Sequence, residues 1–233
     1  MRVAALGAHP DDLEILCGGT LVRLARAGGV VSMVVLTDGA AGHKTIGPDE
    51  LREMRREEAR RAAEMIGARA VWLGLPDESL FDNAPTRLLV VEALRQAQPD
   101  LILTHHPKDY HPDHRAASHL AFSASFLATL PSIRSESRPL PVVPPLAYFD
   151  TLAGVDFVPQ EYVDITEHIG DKLELFGCHR SQVAWMSDHD SVDMYDLITT
   201  VAKLRGYQCG VGYAEGFVWE ESWPRRRAHR LLP

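Results

Sequence analysis

The sequence predicts an α/β protein: a mostly parallel sheet with helices on both faces, in a single domain with a C-terminal elaboration. Three observations lead there. Short, near-continuously apolar runs alternate with helical patterns through the first half of the chain, the way strands buried on both faces read. The 233 residues are long for one domain and short for two. Apolar residues at 45% and charged residues at 24% permit a real core and exclude wholesale disorder.

Val3 to Leu6 is an apolar run ending at Gly7, and Leu16 to Arg26 suits a helix closed by Gly28-Gly29. Val30 to Thr37 is a β-branched strand that stops at Asp38-Gly39. Residues 49 to 66 read as a helix stopped by Gly67. Ala70 to Leu75, Thr86 to Gln96 and Leu101 to Thr104 continue as strand, helix, strand, and Ala116 to Leu130 is apolar enough for a buried helix. This core, residues 1–130, precedes an elaboration over 131–233. Five prolines between Pro131 and Pro145 predict an irregular excursion. Strands are then expected at Leu146 to Thr151, Glu161 to Ile165 and Tyr213 to Trp219, and helices at Ile169 to Cys178 and Asp193 to Arg205. The tail with Arg225, Arg226, Arg227 and Arg230 reads as a solvated end.

Composition excludes several partners. The net charge of −8 argues against nucleic acid, whose phosphates need a basic face. No stretch reaches the roughly 18 apolar residues of a membrane span. The N-terminal residues lack a secretory cleavage pattern, and Cys17, Cys178 and Cys209 are an odd set at wide spacing. Reduced thiols in a cytoplasmic protein are therefore expected.

Histidine is the anomaly: 11 in all, five of them between His105 and His119. Ligands of open α/β sheets bind beyond the carboxyl ends of the strands. Two polar clusters fall there, His9-Pro10-Asp11-Asp12 after the first strand and His111-Pro112-Asp113-His114 seven residues past the fourth. Proline suits the first turn of a helix, where positions i and i+3 face one way. His9 with Asp12, and His111 with His114, can thus point into one crevice. Either motif alone reads as a helix cap with a surface imidazole; two at two strand ends read as a site. Imidazole and carboxylate suit zinc, with iron, cobalt or manganese also compatible, and a catalytic zinc keeps three protein ligands. His9, Asp11, Asp12, His111 and His114 exceed that number, so one carboxylate can serve as base to a metal-activated water. Spacing alone does not choose which histidine stays off the metal. His105 and His106 are site walls or core residues, and His119 and Cys17 read as packing.

Within helix 51–66, Leu51, Met54, Ala62, Met65 and Ile66 share a face that also carries Arg55 and Glu58. Buried charges require partners, so these two pair with each other or Arg55 reaches the site. Gly18-Gly19-Thr20 lacks dinucleotide or phosphate-loop spacing and reads as a tight helix start beside the metal loop. No Gly-x-Ser-x-Gly elbow is present.

Ala8-His9-Pro10-Asp11-Asp12 with Gly18-Gly19-Thr20 and the later His111-Pro112-Asp113-His114 resembles the LmbE-like (PIG-L) family of zinc-dependent N-deacetylases. The likeness extends through Thr37-Asp38-Gly39, Arg55-x-x-Glu58-Ala59, Leu75-Pro76-Asp77, Val163-Asp164-Ile165-Thr166, Ser181-Gln182 and Tyr213-Ala214-Glu215-Gly216-Phe217. It is nearest the bacterial branch acting on small glucosaminides. The resemblance implies a Rossmann-like fold and one zinc ion per subunit, or another divalent metal, on His9, Asp12 and His114. It implies Asp11 as general base and His111 as oxyanion stabiliser and proton donor to the amine, with Asp113 orienting the His111 ring. Arg55 would contact the sugar. The implied substrate is a small N-acetylated amino sugar, with neither nucleic acid nor membrane as partner, and a trimer or hexamer is expected by analogy. Where some members carry an oxyanion-binding tyrosine two residues before the second motif, this chain has Asp109, with Tyr110 one residue later. His179-Arg180 stands where close relatives have lysine before Ser-Gln. The alternative is a hydratase of a small unsaturated dicarboxylate on the same fold, and a third reading is a non-catalytic metal- or glycan-binding protein.

Overall fold

A computed structural model describes residues 1–225. In chain order it contains β1 (Arg2–Gly7), α1 (Asp12–Arg26), β2 (Val30–Thr37), α2 (Pro48–Met65), β3 (Arg69–Leu75), α3 (Ala84–Ala97), β4 (Leu101–Thr104) and α4 (Pro112–Leu127). Then follow β5 (Leu146–Phe149), β6 (Glu161–Asp164), a 3₁₀ turn at Thr166–His168, α5 (Ile169–Phe176), α6 (Arg180–Asp190), α7 (Met194–Cys209) and β7 (Ala214–Trp219). The strands form one sheet in the order β3-β2-β1-β4-β5-β7-β6. β1 to β5 run parallel, and β7 is antiparallel to both β5 and β6. The expected mostly parallel sheet is thus present, closed at one side by an antiparallel pair from the elaboration.

Strand alternation builds two cores. Ala4 and Leu6 of β1 face Val90, Leu94, Leu120 and Ala124 of α3 and α4, while Val3 and Ala5 face α1, Phe176 of α5 and Ile198 of α7. Each fully buried Leu, Ile or Phe contributes about 1.5–3 kcal/mol, which is why the helices cover both faces. β2 and β3 lie to one side of β1, and β4 and β5 to the other. The connection order therefore reverses between β1 and β4, and a crevice opens at their carboxyl ends.

Several local readings change. α1 begins at Asp12, before the apolar run, and is kinked at Cys17, whose φ of −142° is non-helical. The kink frees the amides of Gly19 and Thr20, and both donate to the buried Glu215 carboxylate, at 2.9 and 2.7 Å. A Cβ on Gly19 would sit 2.8 Å from Ile165, so close packing as well as the restart requires glycine there. The buried face of α2 is Leu51, Arg55, Glu58, Ala59, Ala62 and Ala63, and Met65 emerges into solvent. α6 has no clear period in the sequence, and its site-facing stripe of Gln182, Trp185 and Met186 reads as mixed polarity. Arg225 is buried rather than solvated. It donates to the Phe122 carbonyl, bonds Ser125 Oγ and lies 4.8 Å over the Phe122 ring. Arg226, Arg227 and Arg230 lie outside the described residues, and His119 is exposed rather than packed.

Candidate active site

The crevice between β1 and β4 collects both His-Pro-Asp motifs. His9 leaves β1 in a turn and Asp12 opens α1, while His111 caps α4 and Pro112 starts it. His9 Nδ1 lies 3.4 Å from Asp12 Oδ2 and 3.3 Å from His114 Nε2, and His114 Nε2 lies 3.2 Å from Asp12 Oδ1. Donors bonded at about 2.0–2.1 Å to a tetrahedral ion stand about 3.3 Å apart. The His9, Asp12 and His114 atoms therefore form a triangle of the right size for one such ion. Two imidazoles in the set disfavour calcium and magnesium.

Three other groupings among the described residues are close enough to hold metal: His9, His111 and His114; Asp12, His105 and His114; and His9, Asp77 and Glu78. His105 is fully buried, and its Nε2 accepts a hydrogen bond from the Ala8 amide at 3.0 Å, which occupies that lone pair. Burial and the neighbouring His114 push its pKa down to about 4, so it is a neutral back wall stacked on His114 at 3.9 Å.

The histidines of the triangle are oriented from behind. His114 Nδ1 faces Asp109 Oδ1 at 3.0 Å, and His9 Nε2 faces Asp77 Oδ1 at 3.3 Å and Asp113 Oδ2 at 3.5 Å. Carboxylates behind metal-facing imidazoles fix tautomer and ring plane. Asp109, at the position of the missing tyrosine, thus has a structural task that sequence reasoning did not assign it. Asp77 likewise enters through the Leu-Pro-Asp turn after β3.

The position of Asp113 corrects one expectation. Its carboxylate accepts from the Leu80 amide at 3.2 Å and turns toward His9, not toward the His111 ring. The Asp113 backbone amide is what orients His111, donating to Nδ1 at 3.2 Å. Nδ1 is therefore the unprotonated nitrogen of the neutral ring, and Nε2 carries the proton toward the crevice. Burial and the charges of His9 and His114 lower the His111 pKa.

Asp11 is held in a conformation that L residues seldom adopt, with φ at +132° and ψ at −23°. Such backbone costs on the order of 1–3 kcal/mol and persists where neighbours over-determine it. Arg55 does so here. Its Nη2 donates to the Pro10 carbonyl at 2.8 Å and to Asp11 Oδ1 at 3.1 Å, and its Nη1 to the Gly39 carbonyl at 2.9 Å. Gly39 has φ +61°, and a Cβ on it would lie 2.6 Å from the guanidinium. Glu58, the other charge on that helix face, bonds Ser181 instead, through its amide at 2.9 Å and its hydroxyl at 2.6 Å. Arg55 and Glu58 therefore do not pair with each other. Arg55 lines the crevice, but its bonds go to the loop that carries Asp11.

Burial raises the Asp11 carboxyl to about 6, with Arg55 drawing it down and Asp12 pushing it up. Asp11 Oδ2 is buried without a hydrogen-bond partner. Among the described residues twelve buried side-chain N or O atoms lack a hydrogen bond, and eight belong to His9, Asp11, Arg55, His105, Asp109, Asp113 and His179, of which His9 Nε2, Asp113 Oδ2 and His179 Nε2 still face an oppositely charged group. Buried polar atoms are otherwise nearly always satisfied, so their concentration here fits a centre built to receive an ion and a polar substrate. His179 is fully buried behind the site with its Nε2 3.0 Å from Glu14 Oε1.

The crevice holds about 160 Å³ and has two unlike walls. Asp77, Glu78 and His111 form a polar wall; Ile15, Leu16, Leu152, Trp185 and Met186 form an apolar one. Tyr110 stands at the mouth, 65% exposed, edge-on to His111 and His114 at 5.7 and 5.9 Å.

Comparisons with known proteins agree with this geometry. The family model described as PIG-L, GlcNAc-PI de-N-acetylase, matches residues 4–125. A diacetylchitobiose deacetylase of Thermococcus kodakarensis is 30% identical over 92% of this chain and 81% of its own length. The solved N,N'-diacetylchitobiose deacetylase from Pyrococcus horikoshii superposes with a TM-score of 0.81 at 29% identity, covering 94% of this chain and 83% of that one. The 4-carboxy-2-hydroxymuconate hydratase from Pseudomonas putida gives a TM-score of 0.83 at 25% identity, covering 100% of both chains.

Proposed function

This chain belongs to the PIG-L family, and we propose that it is a metal-dependent N-deacetylase that removes the acetyl group from an N-acetylglucosamine-type conjugate. The observation that carries the reading is the His9–Asp12–His114 triangle with the unpartnered Oδ2 of Asp11 beside it. Binding alone would need no spare base.

His9 Nδ1, an Asp12 oxygen and His114 Nε2 would hold the ion, and zinc suits the donor set best. A divalent ion there supplies Lewis-acid polarisation of the amide carbonyl and makes a water acidic near neutral pH. Asp11 accepts the proton of the attacking water at Oδ2. Arg55 keeps Oδ1 fixed, so the free oxygen holds one direction. His111 donates a hydrogen bond from Nε2 to the oxygen that gains charge; its neutral ring has no second proton to give, so the proton taken up by Asp11 is the one returned to the departing nitrogen. Asp109 and Asp113 hold the rings of His114 and His9 against rotation.

The hydratase reading meets an electrostatic obstacle. A dicarboxylate needs cationic partners, and the guanidinium lining the crevice is already bonded to Gly39, Pro10 and Asp11. Asp77 and Glu78 on the same wall would repel it.

The decisive assay is amine release from a panel of N-acetylglucosamine conjugates, before and after removal of metal. Chelation is expected to abolish release and one equivalent of zinc to restore it. Release that persists in metal-free protein would refute the metal-dependent reading, and absence of release from every conjugate by the zinc-loaded enzyme would refute the deacetylase itself.

Metal uptake should also expel protons. Burial depresses the His9 pKa, but Asp12, Asp113 and Asp77 outweigh it and raise it to about 10. The same contest, led by Asp12 and Asp109, raises His114 to about 9. Both rings are therefore protonated at pH 7.5 in the metal-free protein, yet each must be neutral to bind an ion. Up to two protons should leave per ion bound. The number should fall as pH rises through 9 and 10, and apparent affinity should climb with pH up to that range and level off above it. Calorimetry in buffers of different ionisation heat measures this; zero protons released at pH 7.5 would show that both rings are already neutral in the metal-free protein.

A further inference from the structure

The charge around the crevice constrains the rest of the substrate. Asp11, Asp12, Asp77 and Glu78 line it, and Asp109 and Asp113 stand directly behind. Among the described residues that line the crevice, the Arg or Lys set against these six carboxylates is Arg55, whose guanidinium is bonded within the Asp11 loop. A divalent ion leaves the loaded site strongly negative. Clefts with one sign of charge and low-dielectric walls focus that field on what enters.

Five of the six carboxylates have assigned neighbours: Arg55 for Asp11, the histidines for Asp12, Asp109 and Asp113, and the Ala41 amide and His9 for Asp77. Glu78 differs. Its side chain is 54% exposed at the mouth, and its Oε1 lies 3.4 Å from His111 Nε2, the nitrogen to which the proposed reaction gives the oxyanion contact. Its backbone is left-handed, with φ +57°, and its amide donates to Asp77 Oδ1 at 3.1 Å. Glycine would meet that conformation more readily; here a carboxylate occupies it and is presented beside the reacting group. A unit attached next to the N-acetylated sugar would meet Glu78 first. Lys44 lies across the mouth, over the Trp185 ring at 5.6 Å.

We propose that Glu78 is a specificity-determining residue, and that the preferred substrates are N-acetylglucosamine conjugates whose neighbouring unit carries a primary ammonium group, with phosphate- and carboxylate-bearing conjugates disfavoured. This rests on the deacetylase reading. It selects amino-sugar oligomers, in which one unit is already a free amine, over acidic or phosphorylated aglycones.

The test compares kcat/KM of the zinc-loaded full chain at low salt on three conjugates. These are N,N'-diacetylchitobiose as the neutral one, its analogue with a free amine on the neighbouring sugar, and its analogue phosphorylated on the neighbouring sugar as the anionic one. The amine-bearing conjugate should exceed the neutral one by about fivefold, the scale of one exposed charge pair. The phosphate should fall at least about tenfold below it, and added salt should narrow both gaps. In Glu78→Gln the amine-to-neutral ratio should fall to about one, and in Glu78→Lys it should invert. Taking the ratio within each variant cancels any general loss of activity or folded protein. A ratio unmoved in both variants, or a phosphate conjugate as good as the neutral one, overturns this inference while leaving the deacetylase standing. No turnover of any conjugate overturns both.

Discussion

Replacing Asp11 with asparagine should lower kcat by about 10²–10⁴-fold, the usual contribution of a positioned general base, with metal content unchanged. The geometry separates the two effects. The oxygens of Asp12, one residue on, face His9 and His114, while Asp11 Oδ2 has no hydrogen-bond partner. Asparagine is nearly isosteric, still offers an oxygen to Arg55, and tolerates positive φ better than most residues. The variant should therefore fold and load normally. Metal analysis beside single-turnover rates reads both quantities. Near-normal turnover would strip Asp11 of the role of base, whereas loss of metal would place it among the ligands.

Arg55→Ala should damage both stability and rate. Removing one partner of a buried ion pair costs about 3–5 kcal/mol, and here the Pro10 and Gly39 carbonyls lose their donors as well. The strain at Asp11 would then be unopposed, and kcat should fall about 100-fold because the base is no longer aimed. Arg55→Lys should recover little, since a single ammonium does not span three acceptors in the plane of a fork. The kinetic split distinguishes a positioning residue from a sugar contact. Positioning lowers kcat with KM nearly constant, whereas loss of a uniform substrate contact raises KM with kcat preserved. Denaturant unfolding of the metal-free variants measures the stability part. A raised KM with unchanged kcat and unchanged stability would return Arg55 to the role of sugar ligand.

Much of this molecule is legible without coordinates. The sheet follows from the apolar runs at residues 3–6, 30–37 and 101–104, which read as strands buried on both faces, and from the run at 70–75, which forms the partly exposed edge strand β3. That His9, Asp12, His111 and His114 meet follows from two His-Pro-Asp motifs placed after two strands of one parallel sheet, whose carboxyl ends share an edge. Arg55 and Glu58 stood out as charges on an apolar helix face, and that too required only helical geometry.

Tertiary structure decided what each of these groups touches. Helical spacing allowed Arg55 and Glu58 to pair with one another; the folded chain sends Arg55 to the Asp11 loop and Glu58 to Ser181, 123 residues away. Asp113 stands two residues from His111, yet its carboxylate turns to His9, and only its amide serves His111. Asp109, Asp77 and Glu78 carry no pattern that marks them as neighbours of His9, His111 and His114. The distinction is physical. Periodicity and turn chemistry are local, and they fix which residues reach the carboxyl ends of β1 and β4. Side-chain partnership depends on atoms brought within about 3 Å by packing between distant segments, which no local pattern encodes.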